Sequence, residues 1–224
     1  EFRRVLFRSY DLRRDFAPVT RTGQIPNAFV VSPVVPAATL AELTAQIRAA
    51  PGRHKCATGG VGGLLHLTCE MYKRAAGLDV LAVPYKGVTF WMPDLVSGQV
   101  SFVTDNLPVY VPLSKTGKVK ILAVTSARRS AVVPEVPTAI EAGLPGFESV
   151  GLFGVFVPAG TAADVVQLLN REINAVLREP AVKDRLLQQG IEVEGSTPEQ
   201  LRAQTEAEIQ KWERVIREAK VARE

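Results

Sequence analysis

At 224 residues, with 46% apolar and 22% charged side chains, the chain has material for one large or two small packed domains and is too apolar to be disordered. A formal charge of +4 would suit a nucleic-acid binder, but the cations between Arg171 and Arg223 alternate with acids and form no basic block, which argues against that partner. No run approaches the roughly 18 apolar residues of a membrane span. Cys56 and Cys69, thirteen positions apart, fit neither a CxxC pair nor a zinc framework. They read as two small core residues, although an oxidising compartment would permit a disulfide.

Residues 1–9, EFRRVLFRS, can be encoded codon for codon by the end of a sequencing-library adaptor and read as an assembly artefact. Their three arginines and one glutamate carry half of the net charge. On that reading the natural protein extends upstream of Tyr10, and a signal peptide is expected there.

From Asn27 onward short β-branched runs alternate with segments of helical period, the pattern of an α/β protein with a parallel sheet covered by helices. Asn27 to Val31 predicts a strand. Thr39, with Glu42 three residues on, opens a capped helix that places Leu40, Leu43 and Ile47 on one face. A strand at His54 to Ala57 runs into the glycine-rich turn Thr58-Gly59-Gly60-Val61-Gly62-Gly63, and Leu64 to Ala76 has helical spacing up to Gly77. Asp79 to Val83 predicts the next strand, followed by a Pro84-Tyr85-Lys86-Gly87 turn and a helix from about Thr89 to Ser97, in which Pro93 fits only near the first turn. Further strands are predicted at Val100 to Thr104 and Val119 to Thr125, and Val150 to Val157 is an apolar run. The remainder is helical: Thr161 to Arg178, Ala181 to Gln189, and a last helix opened by the capping box Thr197-Pro198-Glu199-Gln200.

Successive unhindered N–H groups at a helix N-terminus make the turn from Thr58 to Gly63 a candidate anion site, for a carboxylate or a phosphate. No Gly-Lys-Ser/Thr follows it, and Leu65 stands where a dinucleotide fingerprint needs glycine, so nucleotide binding is disfavoured and no cofactor is expected. A tight turn that only packs against the sheet would have the same spacing. His66, among Leu64, Leu65 and Leu67, reads as a structural group more readily than as a ligand contact. Two histidines without an HExxH pattern leave little for a metal site, and no GxSxG or Cys/His arrangement supplies a nucleophile, so the chain reads as no enzyme. Tyr85, Lys86 and Asp105 each follow a predicted strand, the edge at which open α/β sheets place their ligands. Lys86 would pair with a carboxylate and Asp105 would orient an amine, hydroxyl or water; a solvated turn lysine and a capping aspartate are the structural alternatives. Trp91 and Trp212 read as packing residues.

Seven segments in order and spacing resemble the Bug family, the TctC-type receptors of tripartite tricarboxylate transporters. They are Asp15-Phe16-Ala17-Pro18-Val19; the glycine turn ending in His66-Leu67; Val83 to Gly87; Asp94-Leu95 with Gly98-Gln99-Val100; Leu122 to Ser126; Val136-Pro137-Thr138 with Glu141-Ala142-Gly143; and Pro158 to Thr161. The resemblance covers Tyr10 to about Lys220. It implies a two-lobed, type II periplasmic binding protein of the Venus-flytrap kind, with lobe two at 28–151 and an incomplete lobe one at 10–27 and 152–224, whose absent first strands would leave apolar edges exposed. It further implies a monomeric periplasmic protein that captures a di- or tricarboxylate, an acidic amino acid or an aromatic acid and delivers it to membrane permease subunits. Thr58, Gly59, Gly60, Val61, Gly62, Gly63, Tyr85, Lys86 and Asp105 would border the ligand. Relatives often carry hydroxyl residues where this chain has Gly63, Leu64 and Leu65, and a tryptophan where it has Leu152, so ligand contacts are expected through backbone N–H groups. A ligand-sensing module for a signalling system and, further off, an α/β transferase using the glycine turn are the alternative functions.

Overall fold

The computed structural model describes residues 10–221, and the artefact expectation for residues 1–9 lies outside them. In chain order the elements are α1 (Leu12–Asp15), β1 (Phe16–Val31), α2 (Leu40–Ala49), β2 (Lys55–Thr58), α3 (Leu64–Ala76), β3 (Leu81–Pro84), α4 (Val88–Ser97), β4 (Phe102–Asn106), α5 (Leu107–Lys115), β5 (Lys120–Val124), β6 (Val150–Pro158), α6 (Ala163–Arg178), α7 (Pro180–Gln188), β7 (Glu192–Val193) and α8 (Pro198–Glu218). The chain divides into two compact units. One comprises residues up to 25 with 151–214, the other residues 26–150 with those from 215 onward.

In the 26–150 unit the strand order is β3-β2-β4-β1-β5. β2 pairs in parallel with β3 and β4, whereas β1 runs antiparallel to both β4 and β5. The sheet is therefore mixed, which corrects the expectation of a parallel one. Its central strands β2, β4 and this part of β1 are buried on both faces, so their apolar runs are continuous and their periodicity carries no information about direction. Successive residues supply opposite faces. Phe29, Val31, Cys56 and Phe102 pack with Leu40, Leu43 and Ile47 of α2 and Cys69 and Tyr72 of α3. Ala28, Val30, Ala57 and Val103 pack with Trp91 and Leu95 of α4 and Leu107 and Tyr110 of α5. The β1–β5 register slips between Phe29 and Val30, which puts Leu122 and Ala123 on the same side.

Local chemistry sets the element ends. Thr39 Oγ1 accepts the Glu42 N–H at 3.1 Å while the Glu42 carboxylate reaches back to the Ala38 N–H at 2.8 Å. α3 ends on Gly77 and α4 on Gly98, both at positive φ. Pro93 falls in the middle of α4 and not in its first turn. The cost of the missing N–H bond is offset by the burial of Trp91 and Leu95 on either side of it.

In the other unit β1 continues toward its N-terminus and pairs with β6 and β7. A Cβ on Gly23 would lie 2.7 Å from the Glu192 carbonyl, so only glycine lets β7 approach here. The Thr20 hydroxyl, the Asn170 and Asn174 amides and Ser196 form one connected hydrogen-bond network linking β1, α6 and the start of α8. Thr197 and Gln200 close a full capping box on α8. Phe153 and, along α6, Val165, Leu168 and Val176 are exposed. No described helix is long and apolar enough to cross a membrane.

The Phe29 ring is fully buried and meets Tyr72 at 4.8 Å and Phe147 at 5.4 Å between centroids. Phe29→Ala is expected to lower the unfolding free energy by about 3–5 kcal/mol in denaturant titration, as the loss of a large core side chain does.

Candidate functional site

Because β3, β2 and β4 are parallel, their C-terminal ends lie side by side at one edge of the sheet. Thr58 pairs with Pro84, and the Tyr85 N–H donates to the Thr58 carbonyl at 2.8 Å. One pair further along β4 comes Asp105. Register alone thus gathers the glycine turn, Tyr85-Lys86 and Asp105, at the edge where ligands of open sheets sit.

The glycine turn leads straight into α3, a 13-residue helix whose N-cap, Gly63, makes no side-chain cap hydrogen bond. The N–H groups at its start are therefore left for a partner, in the positive end of the helix dipole. Gly60 and Gly62 have φ of +98° and +78°, a conformation that side chains rarely adopt. Gly59 is exposed, and a Cβ there would touch Leu65 at 3.4 Å. The turn is shaped from within by His66, whose Nδ1 accepts the Gly62 N–H at 3.1 Å.

The remaining sequence-predicted residues differ in what they leave available. Thr58 is fully buried, with its hydroxyl 3.4 Å from the Val83 carbonyl. The Tyr85 hydroxyl donates to Asp94 Oδ2 at 2.7 Å, and burial together with that carboxylate pushes its pKa up to about 12. Lys86 is exposed and makes no ion pair among the described residues. Asp105 is 4% exposed, with Oδ1 accepting the Asn106 N–H at 2.7 Å and Oδ2 the Tyr110 hydroxyl at 2.8 Å. Tyr110 in turn accepts the Trp91 indole N–H at 2.9 Å, and Trp91 stacks edge-on against Tyr85. Trp91 is thus a packing residue that also ties the Asp105 pair to the Tyr85 turn.

Two residues acquire meaning only from the fold. His66 faces the turn it follows, a placement that its i+4 spacing from Gly62 could have suggested. Asn27 is fully buried with neither amide atom hydrogen-bonded among the described residues. Its register with Asn106 puts it on the sheet face of Phe29 and Thr104, and the Thr104 hydroxyl donates to the Leu65 carbonyl in the first turn of α3. Asn27 therefore lies toward the N-terminal end of α3. An unpaired buried amide costs roughly 1–3 kcal/mol and marks a place where a fold keeps polarity for use.

A cavity of about 560 Å³ in the other unit is bordered by Arg178, Lys183 and Ser196. The Asn170 and Asn174 amides on its wall are already taken up by the network with Thr20 and Ser196, which leaves it surface lysine and arginine. Among the described residues no group of three His, Cys, Asp or Glu side chains could hold a metal ion.

Burial raises the pKa of Asp105, and the Asn106 and Tyr110 hydrogen bonds oppose that shift. A carboxyl raised in the folded state stabilises the fold below its unfolded pKa and loses that contribution as pH rises through the folded value. Tyr110→Phe removes a donor from the ionised form and the acceptor of Trp91. It is expected to cost about 1–3 kcal/mol where Asp105 is ionised and less in acid as Asp105 becomes protonated; melting curves from neutral into acid check the sign.

Comparison with known proteins places the fold. The family model described as tripartite tricarboxylate transporter family receptor matches residues 4–221. Protein BugT of Bordetella pertussis is 34% identical over 209 residues, covering 93% of this chain and 64% of its own length. The chain thus spans less than two thirds of that curated relative. Among solved structures, Rpa4515 of R. palustris with adipate superposes with a TM-score of 0.81 at 35% identity over 95% of this chain and 71% of its own. MatC (Rpa3494) from Rhodopseudomonas palustris, with bound malate, gives 0.77 at 31% over 96% and 75%. The mixed α/β fold with its open sheet is that of these receptors, and the chain belongs to the tripartite tricarboxylate transporter receptor family, the Bug or TctC type of solute-binding protein.

Proposed function

We propose that the protein captures a small carboxylate in the periplasm and delivers it to the membrane permease of a tripartite tricarboxylate-type transporter. The observation that carries the reading is the uncapped N-terminus of α3 at the strand edge, where backbone N–H groups and the helix dipole provide for one carboxylate without a hydroxyl side chain. The relatives solved with adipate and with malate support a dicarboxylate as the ligand class. Lys86, exposed at the next turn along the edge, would take the second carboxylate. Asp105 would act through its neighbours, since both of its oxygens are engaged. On this reading lobe two, placed at 28–151 from the sequence, is the 26–150 unit, which also takes in the residues from 215 onward and supplies these contacts; lobe one, placed at 10–27 and 152–224, is the unit of residues up to 25 with 151–214.

The test is a thermal-shift screen of the full protein against small carboxylates, adipate and malate among them. A ligand that binds only the native state at one hundred times its Kd stabilises by about 2.7 kcal/mol, a readable rise in Tm. Gly63 has φ of −76° and its nearest neighbour to a Cβ is 3.7 Å away, so Gly63→Leu is expected to keep the fold and abolish the shift. Absence of any shift across the panel would refute carboxylate capture.

A further inference from the structure

We propose that His66 is the positioning residue of this anion site: its neutral imidazole latches the glycine turn in the ligand-receiving form, so that capture weakens as His66 becomes protonated. The proposal rests on the carboxylate-binding reading above.

The geometry starts from one hydrogen bond. A backbone N–H can only donate, so the 3.1 Å contact from Gly62 N to His66 Nδ1 requires an unprotonated Nδ1 and puts the ring proton on Nε2. The bond closes a loop from Gly62 to the first turn of α3, so the ring holds the backbone that must present the turn's remaining N–H groups. It also consumes the Gly62 N–H, leaving the uncapped start of α3 as the part that faces a ligand. Gly62 has φ of +78°, a conformation open to a residue with a wide choice of backbone states, so a hydrogen bond to its N–H helps to select it.

Protonation places the ring's second hydrogen on Nδ1, opposite the Gly62 N–H. Two donors then face each other, the latch opens, and the turn is free to leave the anion-binding form. The charged groups that bear on the ring are on its own helix. Glu70 Oε1 stands 3.9 Å from Nε2, and Lys73 binds that same oxygen at 2.6 Å. Of the elements packed on α3, β2 presents the buried thiol of Cys56, β4 the Thr104 hydroxyl and the segment before β6 the Ser149 hydroxyl. The end of α8 brings Glu218, held by Arg74 two turns away from His66. Burial favours the neutral ring, opposed by Glu70 and aided by Lys73, so the latch is closed near neutral pH and opens in acid. Simple charge attraction would act the other way, because an imidazolium at the turn would tighten a carboxylate.

The experiment measures adipate and malate affinity of the full protein by calorimetry from about pH 8 to about pH 5.5, the range in which a histidine titrates. His66→Asn places an amide oxygen near the Nδ1 position, His66→Gln places one near Nε2, and His66→Leu has no acceptor. Loss of one hydrogen bond of about 1.4 kcal/mol corresponds to about tenfold, so His66→Leu and His66→Gln are expected to bind about tenfold more weakly at pH 8. His66→Asn should recover most of that loss, with a flat pH profile, while the parent weakens in acid. Melting curves verify that each variant is folded. Equal affinity of the leucine variant, a parent profile that is flat or strengthens in acid, or an asparagine variant that keeps the acid loss would each overturn the latch. Should the parent bind neither acid, the carboxylate reading fails, and nitrogen NMR shifts of His66 still decide the latch. An unprotonated Nδ1 at pH 8, with a Gly62 amide signal that moves as the ring titrates, upholds it; a proton on Nδ1 overturns it.

Discussion

Everything at the site depends on β2 having parallel partners on both sides. Parallel pairing with β3 and β4 brings three strand ends to one edge, and each end is followed by a turn that carries a candidate group. An antiparallel neighbour on either side would have sent Lys86 or Asp105 to the opposite end of the sheet. The antiparallel β1 can sit beyond β4 without disturbing this, because it contributes no turn to that edge and only offers the side chain of Asn27 there.

A second constraint is how helix α3 is anchored. Its apolar side meets the sheet through Cys69 and Tyr72, and the Thr104 hydroxyl holds the Leu65 carbonyl. With the helix fixed in this way its first N–H groups are fixed as well. A site built of backbone donors would need no serine or threonine at the helix start, where this chain has Gly63-Leu64-Leu65. Preorganised donors lose little entropy when an anion arrives. Behind them hydrogen bonds join Asp105, Tyr110 and Trp91, and the Trp91 ring meets Tyr85 edge-on, which stiffens the turn region.

The division of the chain follows from the strands more than from any linker. Pro26 separates the part of β1 that pairs with β7 from the part that pairs with β4 and β5. Proline can donate no ladder hydrogen bond, so it suits a place where a strand changes partners. Gly23 performs the matching service on the other side by letting the β7 backbone come close.

The sequence by itself determined the α/β class, most element positions, the caps at Thr39 and Thr197 and the place of the glycine turn between a strand and a helix, because these rest on periodicity and on hydrogen bonds within a few residues. Strand positions were legible to within two or three residues: the run read as His54 to Ala57 is Lys55–Thr58, and the one read as Val100 to Thr104 is Phe102–Asn106. Strand direction was not legible, since a run buried on both faces reads the same either way. Nor was the part of β1 before Asn27, where Pro18, Gly23 and Pro26 interrupt the apolar pattern. Only the tertiary structure decided that Asp105 would be consumed by Tyr110, that Asn27 would lie unpaired near the head of α3, and that His66 would turn its Nδ1 toward Gly62. The availability of a polar atom depends on which neighbours packing brings within about 3 Å of it: Tyr110, on the helix after β4, reaches Asp105, whereas no group among the described residues reaches the Asn27 amide.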